Sequence, residues 1–119
     1  MTHGELLAAV QLAVSRGDSR LLRANSGDAW VGKIVFQDRH KIILSPYRVF
    51  HGHLTGTPDL LGWAGPYFAA VEIKTGRDTV KPAQQRVIDL VLACGGRAGV
   101  ARSVDDARLI ITGKNTPGD

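Results

Sequence analysis

The chain has 119 residues, of which 44% are hydrophobic and 22% charged, and a mass of 12.8 kDa. That is one domain of ordinary globular composition, which excludes a disordered, collagen-like or low-complexity chain. Fifteen Lys and Arg against 11 Asp and Glu give a net charge of +4, spread along the chain; this permits a nucleic-acid partner but does not require one.

Residues 4–16 place Leu6, Leu7, Val10, Ala13 and Val14 at helical spacing and predict a first helix. Thr2 stands three residues before Glu5, the spacing of a capping box, and Gly17-Asp18 ends the helix. Residues 19–25 are short and half apolar, a candidate strand, and Ser26-Gly27-Asp28 reads as a turn. From Trp30 to Leu54 two runs rich in β-branched and aromatic residues flank Gln37-Asp38-Arg39 and predict a β-hairpin. Pro46 keeps the second run out of the centre of a sheet. Gly52, Gly56, Gly62 and Gly65 then crowd one region with Pro58 and Pro66, marking a backbone that needs unusual torsions or close approach. Residues 68–74 are the strongest strand signal, and Thr75-Gly76-Arg77-Asp78 breaks it. Residues 82–94 predict the clearest helix, opened by Pro82 and stopped by Gly95-Gly96. Residues 97–103 read as a short strand. Ser103 with Asp105 and Asp106 starts a brief helix, and residues 107–112 read as a last strand or an extension of the packing. Residues 113–119 read as a frayed tail, which leaves 1–112 as a single domain. This order predicts an α/β fold, a mixed sheet with helices packed on it.

No apolar run nears the roughly 18 residues of a membrane helix, and no basic segment followed by an apolar one marks a signal peptide. A lone cysteine, Cys94, excludes an internal disulfide and a Cys-based zinc centre. A cytoplasmic location is expected.

Glu72 and Lys74 stand two apart on a predicted strand and share one face, while Val71 and Ile73 point the other way, into the core. Two charges on an apolar strand are costly unless something satisfies them. An isolated Glu-x-Lys is weakly specific, because an ordinary cross-strand pair or a wet edge strand accounts for it. Its context is Gly56-Thr57-Pro58-Asp59-Leu60, where Asp59 stands at the entrance of another strand. If the two strands are neighbours, Asp59 and Glu72 converge, and a hard divalent cation relieves the repulsion between them. Mg²⁺ takes few protein oxygens and keeps waters, which suits two carboxylates and a backbone carbonyl. Lys74 would then orient or help deprotonate an attacking water.

Pro58-Asp59 followed by Glu72-x-Lys74 resembles the PD-(D/E)XK nuclease signature. The fuller pattern resembles the VRR-NUC subfamily of small stand-alone nucleases. It comprises a first-helix acid, Glu5; Leu22-Arg23-x-Asn25-Ser26-Gly27; Gly56-Thr57-Pro58-Asp59-Leu60-Leu61; Val71-Glu72-Ile73-Lys74-Thr75-Gly76; Gln84; and Ala93-Cys94-Gly95-Gly96. It covers residues 5–107. The resemblance implies a restriction-endonuclease-like fold, with residues 30–54 as an extra β-hairpin arm. It implies Mg²⁺-dependent hydrolysis of DNA phosphodiesters, with Mn²⁺ as a substitute. Similar stand-alone phage and bacterial members are homodimers that cut Holliday junctions, which points to a bacterial or phage-infected cell. Asp59 and Glu72 match the metal carboxylates, Ile73 lends its backbone carbonyl, and Lys74 matches the catalytic lysine. Glu5 matches an acid that can touch the metal through water, although a capping box with Thr2 also accounts for it. Arg23 and Asn25 match residues that contact the DNA backbone or brace Glu5, and Arg77 and Lys81 are further candidates for DNA phosphates.

Gln84 also has support from helical phase. It begins a stripe continued by Val87, Ile88, Val91 and Leu92 and should face the sheet, near the carboxylates, while Gln85 is rotated into solvent. His51 and His53 share a strand face, yet no third ligand accompanies them. No phosphate-binding Gly-rich loop occurs, so no nucleotide cofactor is expected. Two alternatives remain at this point: a non-catalytic nucleic-acid-binding module, and a nuclease subunit targeted by a partner protein.

Overall fold

A computed structural model describes residues 1–24, 28–51 and 55–114. Two compact units are present, Met1–Ala24 with Thr55–Asp119, and Asn25–Leu54.

The larger unit begins with helix α1, His3–Val14. Thr2 caps it through the predicted box: the Thr2 hydroxyl accepts from the Glu5 N–H at 3.1 Å, and the Glu5 carboxylate accepts from the Thr2 N–H at 3.1 Å. Leu6, Leu7, Val10 and Val14 are buried along one face, as the helical period requires. Strand β1, Ser19–Arg23, buries Leu21 between exposed neighbours. The Ser15 hydroxyl accepts from the Leu21 N–H at 3.0 Å and ties the end of α1 to this strand.

After the hairpin unit (strands β2 and β3, described below) come β4, Leu60–Ala64, and β5, Tyr67–Ile73. Gly65 turns one into the other with φ of 58°, the positive value that a two-residue hairpin loop needs at its first central position. Helix α2, Pro82–Ala93, crosses over to β6, Arg97–Ala101, which lies parallel to β5. The sheet order is β1-β4-β5-β6, with β1–β4 and β4–β5 antiparallel.

Helices cover both faces of this sheet. On one face α1 and the final helix α3, Val104–Thr112, pack with Leu21, Leu60, Ala69, Val71, Ile73 and Ala101. On the other, Ile88 and Val91 of α2 pack with Ala70 and Ala98. Successive residues of β5 therefore serve opposite layers. The result is the expected α/β fold, a mixed four-stranded sheet flanked by helices, consistent with a restriction-endonuclease-like architecture.

The chain end differs from one of its expectations. Residues 107–112 form neither a strand nor a loose extension; they continue α3. Ser103 caps it by accepting from the Asp106 N–H at 3.1 Å. Val104, Ala107, Ile110 and Ile111 pack against the core at helical spacing, a period that so short an apolar run does not reveal by itself.

The smaller unit is the predicted hairpin. Strands β2, Asp28–Gln37, and β3, Ile42–His51, pair antiparallel. Their connection, residues 38–41, runs two residues further at its far end than expected and leaves Gln37 in β2, because the Asp38 carboxylate accepts from the N–H groups of His40 and Lys41 at 2.7 and 2.9 Å and closes the turn. Pro46 stands opposite Gly32, beside a register shift at Val31/Gly32. In a two-stranded sheet every strand is an edge, so its missing N–H is tolerated. Among the described residues no helix is long and apolar enough to cross a membrane.

Candidate active site

The site grows from the register of three strands. Leu60 pairs with Val71 across β4 and β5, so the preceding residue, Asp59, stands opposite the following one, Glu72. The Ala24 N–H, just past β1, donates to the Asp59 carbonyl at 2.9 Å. Gly56 fixes the approach to this point. Its φ is 91°, and a Cβ there would lie 2.5 Å from the Ala83 carbonyl oxygen at the start of α2. A side chain would separate the turn from the helix.

Asp59 Oδ2 accepts from the Ile73 N–H at 2.9 Å and lies 3.2 Å from His3 Nε2. Glu72 is 3% exposed and Lys74 8%, on the opposite face from the buried Val71 and Ile73. The Lys74 N–H donates to the Ala101 carbonyl at 3.1 Å, which carries the parallel pairing one residue beyond β5. Burial pushes the Glu72 carboxyl up to about 8; hydrogen bonding to Asp59 and the Asp59 charge push the same way, and Lys74 pulls back only in part. Glu72 Oε2 is buried without a hydrogen-bond partner. A buried orphan oxygen beside a second carboxylate is an incomplete arrangement. This donor set, hard oxygens with a facing lysine, fits a hard divalent cation. Asp59, Glu72 and the Ile73 carbonyl are the groups that could hold it.

The other expected residues fall at varying distances from this centre. Glu5 is exposed and committed to the α1 cap, where its bonds to Thr2 hold its carboxyl below the usual range. Gln84 is half-buried, and its Oε1 accepts from the Lys81 N–H at 3.0 Å, closing the first turn of α2. Gln85 is exposed and its amide donates to Asp89 at 2.9 Å, the rotation that helical phase predicts. Arg23 is exposed at the end of β1, opposite Leu60. Arg77 and Lys81 are exposed on the connection from β5 to α2. Asn25 and His53 lie outside the described residues, as does the side chain of His51.

Two residues, one at the site and one bracing the connection that follows β5, carried no sequence signal. His3 reaches Asp59 from the first turn of α1 across 56 positions of sequence. Arg102 holds the β5–α2 connection, donating to the carbonyls of Gly76 and Asp78 at 3.4 and 2.6 Å. Neither sits in a motif or a periodic stripe, so only the folded chain identifies them.

A comparison with curated protein sequences finds no match. The family model of the VRR-NUC domain matches residues 25–105, more than half of the chain. The matched segment contains Asp59, Glu72, Ile73, Lys74 and Gln84, and leaves out helix α1. With its mixed sheet and the acidic pair at the ends of β4 and β5, the chain belongs to the VRR-NUC family and is a nuclease-type domain whose substrate is DNA.

Proposed function

We propose that the protein is a Mg²⁺-dependent endonuclease that hydrolyses phosphodiester bonds in branched DNA, such as Holliday junctions, and works as a homodimer. The observation that supports this most is the juxtaposition of Asp59 with Glu72 and its buried, unpartnered Oε2. A binding module gains nothing from two carboxylates facing a phosphate, since they repel it.

When bound, a divalent cation supplies charge to a phosphate oxygen and makes an attacking water more acidic. The chain's own residues do the rest. Asp59 and Glu72 present oxygens from two strands locked in register, so the geometry is set before substrate arrives. The Ile73 N–H holds Asp59 Oδ2 in place. Lys74, fixed on the Glu72 face, would orient the water for in-line attack, and its positive charge would favour the hydroxide as the proton passes to solvent. Gln84 steadies the start of α2 beside this face. Arg23, Arg77 and Lys81 are exposed for phosphate contacts, which supply affinity without reading sequence.

The test is cleavage of four-way junction, flap, fork and linear duplex with Mg²⁺, without it, and with a chelator. Cleavage that requires the cation and vanishes in Asp59→Asn is the expected result. Cleavage indifferent to chelation, or none of any substrate with Mg²⁺ or Mn²⁺ present, overturns the proposal.

A further inference from the structure

We propose that His3 is a nitrogen ligand to the divalent cation held by Asp59 and Glu72, and that it raises the preference of the centre for Mn²⁺ and Co²⁺ relative to Mg²⁺. The inference rests on the metal-dependent reading above and adds a residue that lies outside the segment matched by the VRR-NUC family model.

The first turn of α1 is built so that one of its polar side chains meets the site. Glu5 is turned back onto Thr2 by the capping box, which also fixes where the helix starts. His3, the first residue of that helix, is thereby presented to Asp59, with Nε2 at 3.2 Å from Oδ2. Adjacent ligands of an octahedral cation with bonds near 2.1 Å stand about 3 Å apart. The spacing between His3 Nε2 and Asp59 Oδ2 is thus already close to that of two neighbouring ligands. Asp59 Oδ2 accepts from the Ile73 N–H, and its second lone pair faces His3 Nε2, the direction in which a cation shared by the two would sit.

The donors are not yet gathered into a three-residue ligand group. His3 meets Asp59, and Asp59 meets Glu72. Glu72 is locked in the sheet at 3% exposure, whereas the His3 side chain is 45% exposed and is held by its contact to Asp59. Completing the ligand set would therefore call for movement of the imidazole rather than of the buried Glu72. A neutral imidazole is a softer donor than a carboxylate or water. Mg²⁺ gains little from it, whereas first-row transition ions gain along the Irving–Williams order.

Calorimetric titration of Mg²⁺ and Co²⁺ into the full chain, its His3→Gln and His3→Ala variants and Glu72→Gln is the test, with pulsed EPR of the Mn²⁺-loaded protein. His3→Gln keeps an N–H that can bond Asp59 but removes the imidazole. The wild type should bind Co²⁺ in a manner abolished by Glu72→Gln. Both His3 variants should weaken Co²⁺ by about tenfold or more while changing Mg²⁺ by less than about threefold. The ¹⁴N coupling of an imidazole to Mn²⁺ should be present in wild type and absent in His3→Gln. Equal losses for both cations, a wild-type profile in His3→Gln, or no ¹⁴N coupling overturns the role of His3 and leaves the metal site standing. No cation binding sensitive to Glu72→Gln overturns both.

Discussion

Glu72 combines near-complete burial with an unpartnered oxygen, a costly state in a chain without a bound cation. Asp59→Asn and Glu72→Gln remove charge and almost no volume. Each should lower cleavage below about one hundredth of wild type, a loss typical of a deleted electrostatic contact in an active site, with thermal unfolding still cooperative. Retained cleavage in either variant removes that residue from the site. Lys74→Ala should lose cleavage but keep Mn²⁺ binding, because the lysine faces the carboxylates without being a donor to the cation. Calorimetry that shows Mn²⁺ binding lost as fully as in Glu72→Gln would make Lys74 structural. Stability should also report on Glu72 in metal-free protein. Its carboxyl is raised from 4.5 to about 8 in the folded chain, so between these values the native state holds a proton that the unfolded chain has released. This contribution is fully present below about pH 4.5 and is lost as pH rises through 8, at a slope of at most about 1.4 kcal/mol per pH unit. Urea unfolding with chelator at pH 5 and pH 8 measures it. A profile identical in wild type and Glu72→Gln would show that Glu72 is ionised throughout.

Among the elements, the hairpin β2–β3 presents large apolar side chains to water at its described positions. Val35 is 59% exposed, Phe36 46% and Ile43 45%. A two-stranded sheet with apolar side chains in water is marginal alone and leaves its edges open to pairing. In the homodimer reading this surface is covered by the second copy. Light scattering of the wild type should then give a mass near twice 12.8 kDa, and Val35→Glu combined with Ile43→Glu should bring it down to one chain. The far-ultraviolet dichroism of α1, α2 and α3 should survive, since these helices belong to the other unit. A dimer unaffected by both charges would place the interface elsewhere. The helices show how far local signals reach. Thr2 and Glu5, Pro82, and Ser103 with Asp106 mark their starts as capping chemistry requires. The continuation of α3 to Thr112 was not readable, because Leu109, Ile110 and Ile111 fit a strand as well as a helix until Ala107 and Ile110 are buried together.

At the scale of the whole molecule, the described residues offer one acidic centre, so in the proposed mechanism one chain would cut one strand at a time. Coordinated cutting of two strands needs two centres related by a two-fold axis, which also matches their polarity to the two strands. A four-way junction should therefore be resolved into two nicked duplexes at paired, symmetric positions, and linear duplex of the same sequence should be cut far less. Mapping both strands on end-labelled substrates checks this. A monomer that degrades linear duplex as fast as junctions would remove dimer and junction selectivity together, while leaving phosphodiester hydrolysis intact.

Much of the centre was legible in the order of residues. Period-two alternation alone puts Glu72 and Lys74 on one face of β5 and Val71 and Ile73 on the other, and the turn-rich run through Gly65 makes β4 and β5 neighbours, so that Asp59 meets Glu72. These are properties of a chain and its nearest partners, and they follow from local geometry. The remainder depended on which distant segments share space. The capping box that keeps Glu5 at Thr2 was readable beside its metal role, but only the fold shows that His3, rather than Glu5, reaches Asp59. The Gln84 side chain closes the first turn of α2 by accepting from the Lys81 N–H, a contact that helical phase does not announce. Arg102 braces a loop some 24 residues before it. Above all, the unsatisfied oxygen of Glu72 exists only because folding buries that side chain away from water. Periodicity says which way a side chain points; only tertiary packing decides what it meets there and whether water can reach it.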